Sequence, residues 1–89
     1  MNTNYLVNVS KLTHDEKVVI KNRLDGRGHM VIDYFSDNKL SGFIVYWNRP
    51  PCEFATLAES IPKCNYKEVT GWALDKDNID QAFVAAFGA

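Results

Sequence analysis

The chain has 89 residues, 46% of them hydrophobic and 24% charged, with a formal net charge of −1. A chain of this length holds one hydrophobic core, so residues 1–89 are expected to form a single domain, and the apolar content excludes a disordered segment. The near-neutral charge argues against strong non-specific nucleic-acid binding, which draws on counterion release by basic residues, while leaving room for a local basic patch, and no apolar run approaches the roughly 18 residues that cross a membrane.

Met1 to Leu6 contains neither the basic nor the apolar segment of a secretory signal. The chain is therefore expected in the cytoplasm, with Cys52 and Cys64 as reduced thiols. Tyr5 to Val9 reads as a first strand, built of residues that suit a pleated surface. Thr13 and Glu16 have the spacing of a capping box, in which the hydroxyl accepts from the Glu16 amide and the carboxylate accepts from the Thr13 amide. A helix follows to about Leu24, burying Ile20 and Leu24 with help from Val19. Gly26 is expected to end it in a left-handed conformation.

Met30 to Phe35 reads as a second strand. Ser36-Asp37-Asn38-Lys39 reads as a turn, because Asp and Asn tolerate left-handed backbone. A third strand, Lys39 to Trp47, pairs with the second as a hairpin. Pro50 and Pro51 end it, since neither can donate a ladder hydrogen bond, and proline also suits the first turn of a helix. That helix is expected over Glu53 to Ser60, with Phe54, Leu57, Ala58 and Ile61 inward and Pro62 as its stop. A fourth strand is expected over Glu68 to Leu74, packing Val69, Trp72 and Leu74. Asp77-Asn78 then caps a last helix to Phe87, whose apolar stripe is Ile79, Phe83, Ala86 and Phe87.

This order predicts an α+β fold: a ferredoxin-like β-α-β-β-α-β antiparallel sheet, core about 4–75, with an additional C-terminal helix at about 77–88. The third strand is apolar on both sides, Leu40, Gly42, Ile44 and Tyr46 on one and Ser41, Phe43, Val45 and Trp47 on the other. Both sides therefore need cover. Tyr5, Val7, Phe43, Val45 and Trp47, with Val31 and Phe35, are expected to face away from the first two helices. Ile79, Phe83 and Phe87 of the last helix are expected to cover them.

Lys39, Gly42, Phe43, Ile44 and Tyr46, together with Tyr5, Leu6, Val7 and Asn8, give the chain a resemblance to the RNA-recognition-motif family, which shares this element order. The resemblance implies that Tyr5 and Phe43 stack on bases and that Lys39 contacts phosphate. Leu40 and Ser41 depart from the family pattern, which places a glycine and a third aromatic there.

Residues 11–27 carry five basic side chains against three acidic ones, and residues 68–80 one against four, a polarity that could steer a partner. His14, His29, Cys52 and Cys64 lack metal-site spacing, Asp75, Asp77 and Asp80 lack the glycine and glutamate of a calcium loop, and Gly26-Arg27-Gly28 follows a helix where a phosphate loop would open one. No cofactor, metal or catalytic residue is expected. The sequence thus reads as a non-enzymatic protein-binding module, an inhibitor, adaptor or regulator whose partner is another protein or a second copy of itself. The alternatives are a single-stranded RNA-binding domain and an accessory protein of a phage or mobile element. The candidate binding residues are Tyr5, Lys21, Arg23, Arg27, Lys39, Phe43, Trp47 and Arg49, with the sheet edges around the cations favoured over the sheet face.

Overall fold

β1 (Thr3–Asn8), α1 (His14–Asp25), β2 (Met30–Ser36), β3 (Lys39–Trp47), α2 (Pro51–Glu59), β4 (Asn65–Val69) and α3 (Ile79–Phe87) follow one another along the chain. The computed structural model describes residues 3–27, 30–60, 65–69 and 78–88. Its four strands form one sheet in the order β2-β3-β1-β4, with every neighbouring pair antiparallel. The architecture is a small α+β fold with three helices.

Local chemistry explains most element ends. Thr13 N–H donates to Glu16 Oε1 at 2.9 Å and Glu16 N–H donates to Thr13 Oγ1 at 3.2 Å, so both halves of the capping box form. Asp37 and Asn38 take φ of 54° and 64°, the left-handed pair that closes a tight hairpin between β2 and β3. Pro51 opens α2, whose Phe54 and Leu57 are buried.

Two expectations need correction. Gly26 is right-handed, at φ −64° and ψ −15°, because its N–H continues the helical pattern onto the Asn22 carbonyl and the Arg27 N–H follows onto that of Leu24. β4 begins at Asn65, three residues earlier than expected, because Asn65 to Val69 pair with β1 in register from Asn8 to Asn4. Trp72 and Leu74 lie outside the described residues, as do His29, Ile61, Pro62 and Cys64.

The core is two clusters on opposite faces of the sheet. Ile20 and Leu24 of α1 and Phe54 and Leu57 of α2 pack on Tyr5, Val7, Val9, Phe43, Val45 and Trp47. Phe83 of α3 packs on Leu6 and Ile44, with Tyr34, Tyr46 and Val69 around it. A terminal helix across the sheet was expected, but on the other set of residues. The face holding Tyr5, Phe43 and Trp47 belongs to α1 and α2.

A bulge explains a further departure. Tyr34 pairs with Gly42 but Phe35 pairs with Leu40, which leaves Ser41 as the extra residue. An extra residue reverses the side-chain alternation beyond it, and Leu40 accordingly joins the α1–α2 cluster with Val31. Lys17 Nζ of α1 donates to the Leu40 carbonyl at 2.8 Å, satisfying an acceptor at the irregularity.

Candidate functional site

The residues expected to bind fall into three environments. Tyr5, Phe43 and Trp47 are 3%, 0% and 2% exposed. The Tyr5 ring stacks on Phe54 with centroids 3.8 Å apart and planes 4° from parallel. Trp47 meets Phe54 edge-on at 5.0 Å and donates its indole N–H to the Pro50 carbonyl at 3.2 Å. A base could stack on Tyr5 only after α2 had left, and the expectation that the last helix covers these rings is corrected: α1 and α2 cover them. Burial raises the Tyr5 hydroxyl above its ordinary value of 10.0, helped by Glu68, its cross-strand neighbour on β4.

Arg23, Arg27, Lys39 and Arg49 are exposed, but they do not converge on one site. α1 runs back from the Asn8 end of β1 to the Met30 end of β2, which pairs with Tyr46. Arg23 and Arg27 therefore share an end of the sheet with Arg49, and Lys39 sits at the other end in the β2–β3 turn. Lys21 stands between them. Its Nζ bonds Asp33 Oδ1 of β2 at 2.8 Å, with the two side chains 38% and 32% exposed. That hydrogen bond raises the Lys21 pKa above its ordinary value, against the opposing effect of burial.

Helices occupy both faces of the sheet, and its two edges differ. β4 has five residues, and Lys67 and Glu68 put charge along it. Short length and charge are the usual protections of an exposed edge. β2 has seven residues, Met-Val-Ile-Asp-Tyr-Phe-Ser, with Asp33 its one charged residue and that one bonded to Lys21. Met30, Ile32 and Phe35 are 63%, 41% and 58% exposed.

The hydrogen-bond alternation shows which main-chain groups β2 turns outward. Val9 N–H donates to the Ser41 carbonyl at 2.9 Å, so this opposed pair is a bonded one. In an antiparallel ladder bonded and non-bonded pairs alternate. Phe43, Val45 and Trp47 therefore bond towards β1, and Gly42, Ile44 and Tyr46 bond towards Tyr34, Ile32 and Met30 of β2. Val31 and Asp33 point their N–H and C=O groups out of the sheet. Among the described residues no strand pairs with that side.

Two other features have less to offer. A cleft of about 220 Å³ lies between the end of α3 and Asn8, Ser10, Ser36 and Ser41. Its polar groups are already engaged locally, since Asn8 Oδ1 accepts from the Ser10 N–H and hydroxyl at 3.0 and 2.8 Å. Among the described residues no group of three His, Cys, Asp or Glu side chains converges. His14 opens α1 at the Asn8 end of the sheet and Cys52 lies in the first turn of α2 at the Trp47 end, so the connectivity sets them apart.

Comparison with known protein families, with curated proteins and with solved structures finds no match to this chain. The β2 edge was missed in the sequence reading because Met30, Ile32 and Phe35 look like ordinary strand residues. An alternation pattern carries no mark of whether a strand ends up inside a sheet or at its margin.

Proposed function

We propose that this chain is a non-enzymatic protein-binding module that takes an extended strand of its partner onto β2. The observation that carries the reading is the contrast between a charged, five-residue edge at β4 and an apolar, seven-residue edge at β2 with outward main-chain groups at Val31 and Asp33. Strand addition of this kind draws affinity from main-chain hydrogen bonds and selectivity from alternate side chains. Such a module acts as an adaptor, inhibitor or regulator by occupying a strand of its target. The sheet order, with helices after β1 and β3 gathered on one face, supports a ferredoxin-like arrangement. RNA binding through Tyr5 and Phe43 draws no support from rings lying under α1 and α2.

Hydrogen exchange of the isotope-labelled chain tests the reading. The Val31 and Asp33 amides are expected to exchange rapidly in dilute solution. They should become protected when the chain is concentrated or placed in its native lysate, while the β4 edge stays unchanged. Rapid exchange at both amides under every condition would sink the proposal.

A further inference from the structure

Resting on that reading, we infer that the strand β2 accepts is β2 of a second copy of this chain, antiparallel, about a two-fold axis passing between the two Ile32 side chains. A two-fold interface must fit itself, each residue meeting its counterpart patch. β2 satisfies this in its backbone, its apolar residues and its charges.

The backbone limits the register. Val31 and Asp33 turn their hydrogen-bonding groups outward, so they must supply the bonded pairs across the new junction. Centring the axis on Asp33 would set two carboxylates directly opposite each other, which is destabilising. Moving the axis to Ile32 pairs Val31 with Asp33 of the second copy, Ile32 with Ile32, and Met30 with Tyr34. The side chains then sort by face. On the α3 side, Met30 and Ile32, 63% and 41% exposed in the single chain, gain apolar neighbours.

On the α1 side each edge is locally neutral. Each edge brings one cation and one anion, already joined as Lys21–Asp33 at 2.8 Å. The two-fold brings two such paired carboxylates to the junction, each already held by its own Lys21, and in this register the two Asp33 residues are diagonal neighbours about 7–8 Å apart, not directly opposed. Val18, 43% exposed, stands three residues before Lys21 on the same flank of α1, where the second α1 arrives. The product is a continuous eight-stranded sheet made of two four-stranded ones.

Cross-linking of the full chain, with Cys52→Ser and Cys64→Ser, tests partner and register together. Ile32→Cys is expected to oxidise to a disulfide dimer, since directly opposed residues bring their Cβ atoms to about 4.5–5.5 Å. Asp33→Cys in the same background should remain largely uncross-linked. Sedimentation equilibrium should find the unmodified chain dimeric, and Ile32→Lys folded but about 100-fold or more weaker in dimerisation, because it opposes two ammonium groups. A chain monomeric at its highest soluble concentration overturns the second copy as partner, while Val31 and Asp33 amides protected in lysate would still uphold strand addition. A dimer linked through Asp33→Cys and not Ile32→Cys overturns the register. A dimer linked through neither, with the Val31 amide exchanging freely, overturns both this inference and the strand-addition reading.

Discussion

On one face of the sheet, Tyr5 stacks on Phe54 while Trp47 and Tyr66 meet the same ring edge-on, at 5.0 and 5.1 Å. On the other, Phe83 of α3 is the central ring. Phe83 stacks on Tyr34 at 4.1 Å and 9°, and a Cβ on Gly42 would come within 2.6 Å of it. The first face is held by two helices and aromatics from four elements. The second is held by one short helix seated where a side chain is missing, with a Tyr34 hydroxyl donating to Asp80 Oδ1 at 2.5 Å as its outer tie. The difference predicts that α3 loosens without the rest of the core, whereas α2 does not.

The largest test of that contrast is Phe54→Ala. Removing a ring 2% exposed and packed against three others should cost about 3–5 kcal/mol. For a small domain that is a large share of a total stability of roughly 5–15 kcal/mol. Urea unfolding should show the midpoint collapsing for the whole molecule.

Gly42→Ala attacks the opposite face. The added methyl would lie 2.5 Å from the Val7 carbonyl oxygen as well as against Phe83, a clash of the kind that costs about 1–3 kcal/mol. Hydrogen exchange should rise across Ile79–Phe87 and in the β1–β3 pairing around Val7, while Ile20, Leu24 and Leu57 keep more of their protection than the α3 amides. Equal loss in all three helices would show that the two faces melt as one unit and would break the comparison.

The smallest effect is expected from the outer tie. The hydrogen bond to Asp80, and then burial, raise the Tyr34 pKa above its ordinary value of 10.0. A raised folded-state pKa favours the protonated form, so this stabilisation is fully present below pH 10.0 and is lost as pH rises through the folded pKa. Protection of α3 should therefore fall on the alkaline side. Tyr34→Phe should lower α3 protection by about 1 kcal/mol at neutral pH and remove the Tyr34 part of the alkaline loss, with the ring stack intact. An unchanged alkaline profile in that variant would assign the loss to another group.

Much of the local structure was legible in the chain itself. The Thr13–Glu16 spacing was enough for the cap, Asp37-Asn38 for the turn, and the Ile79, Phe83 and Phe87 stripe for a helix with an apolar side to bury. The site was far less legible. Tyr5, Phe43 and Trp47 were grouped correctly as neighbours on one face and then assigned to the wrong covering helix. Alternation says which residues travel together but is symmetrical between the two faces, and here both sets are apolar. Leu40 escaped even the alternation, because the bulge at Ser41 appears only once β2 and β3 are paired.

By itself the sequence determined the order of strands and helices, where the Thr13–Glu16 cap and the tight turn fall, and that both sides of Lys39–Trp47 must be covered, though not where β4 starts or how Gly26 ends α1. These are properties of neighbours along the chain, settled by backbone sterics, side-chain spacing and turn chemistry. Only the tertiary structure decided which face went to which helix, and that β2 stands at an apolar edge while β4 stands at a charged one. Strand order is set by pairings between distant segments, and an edge exists only when the whole sheet does.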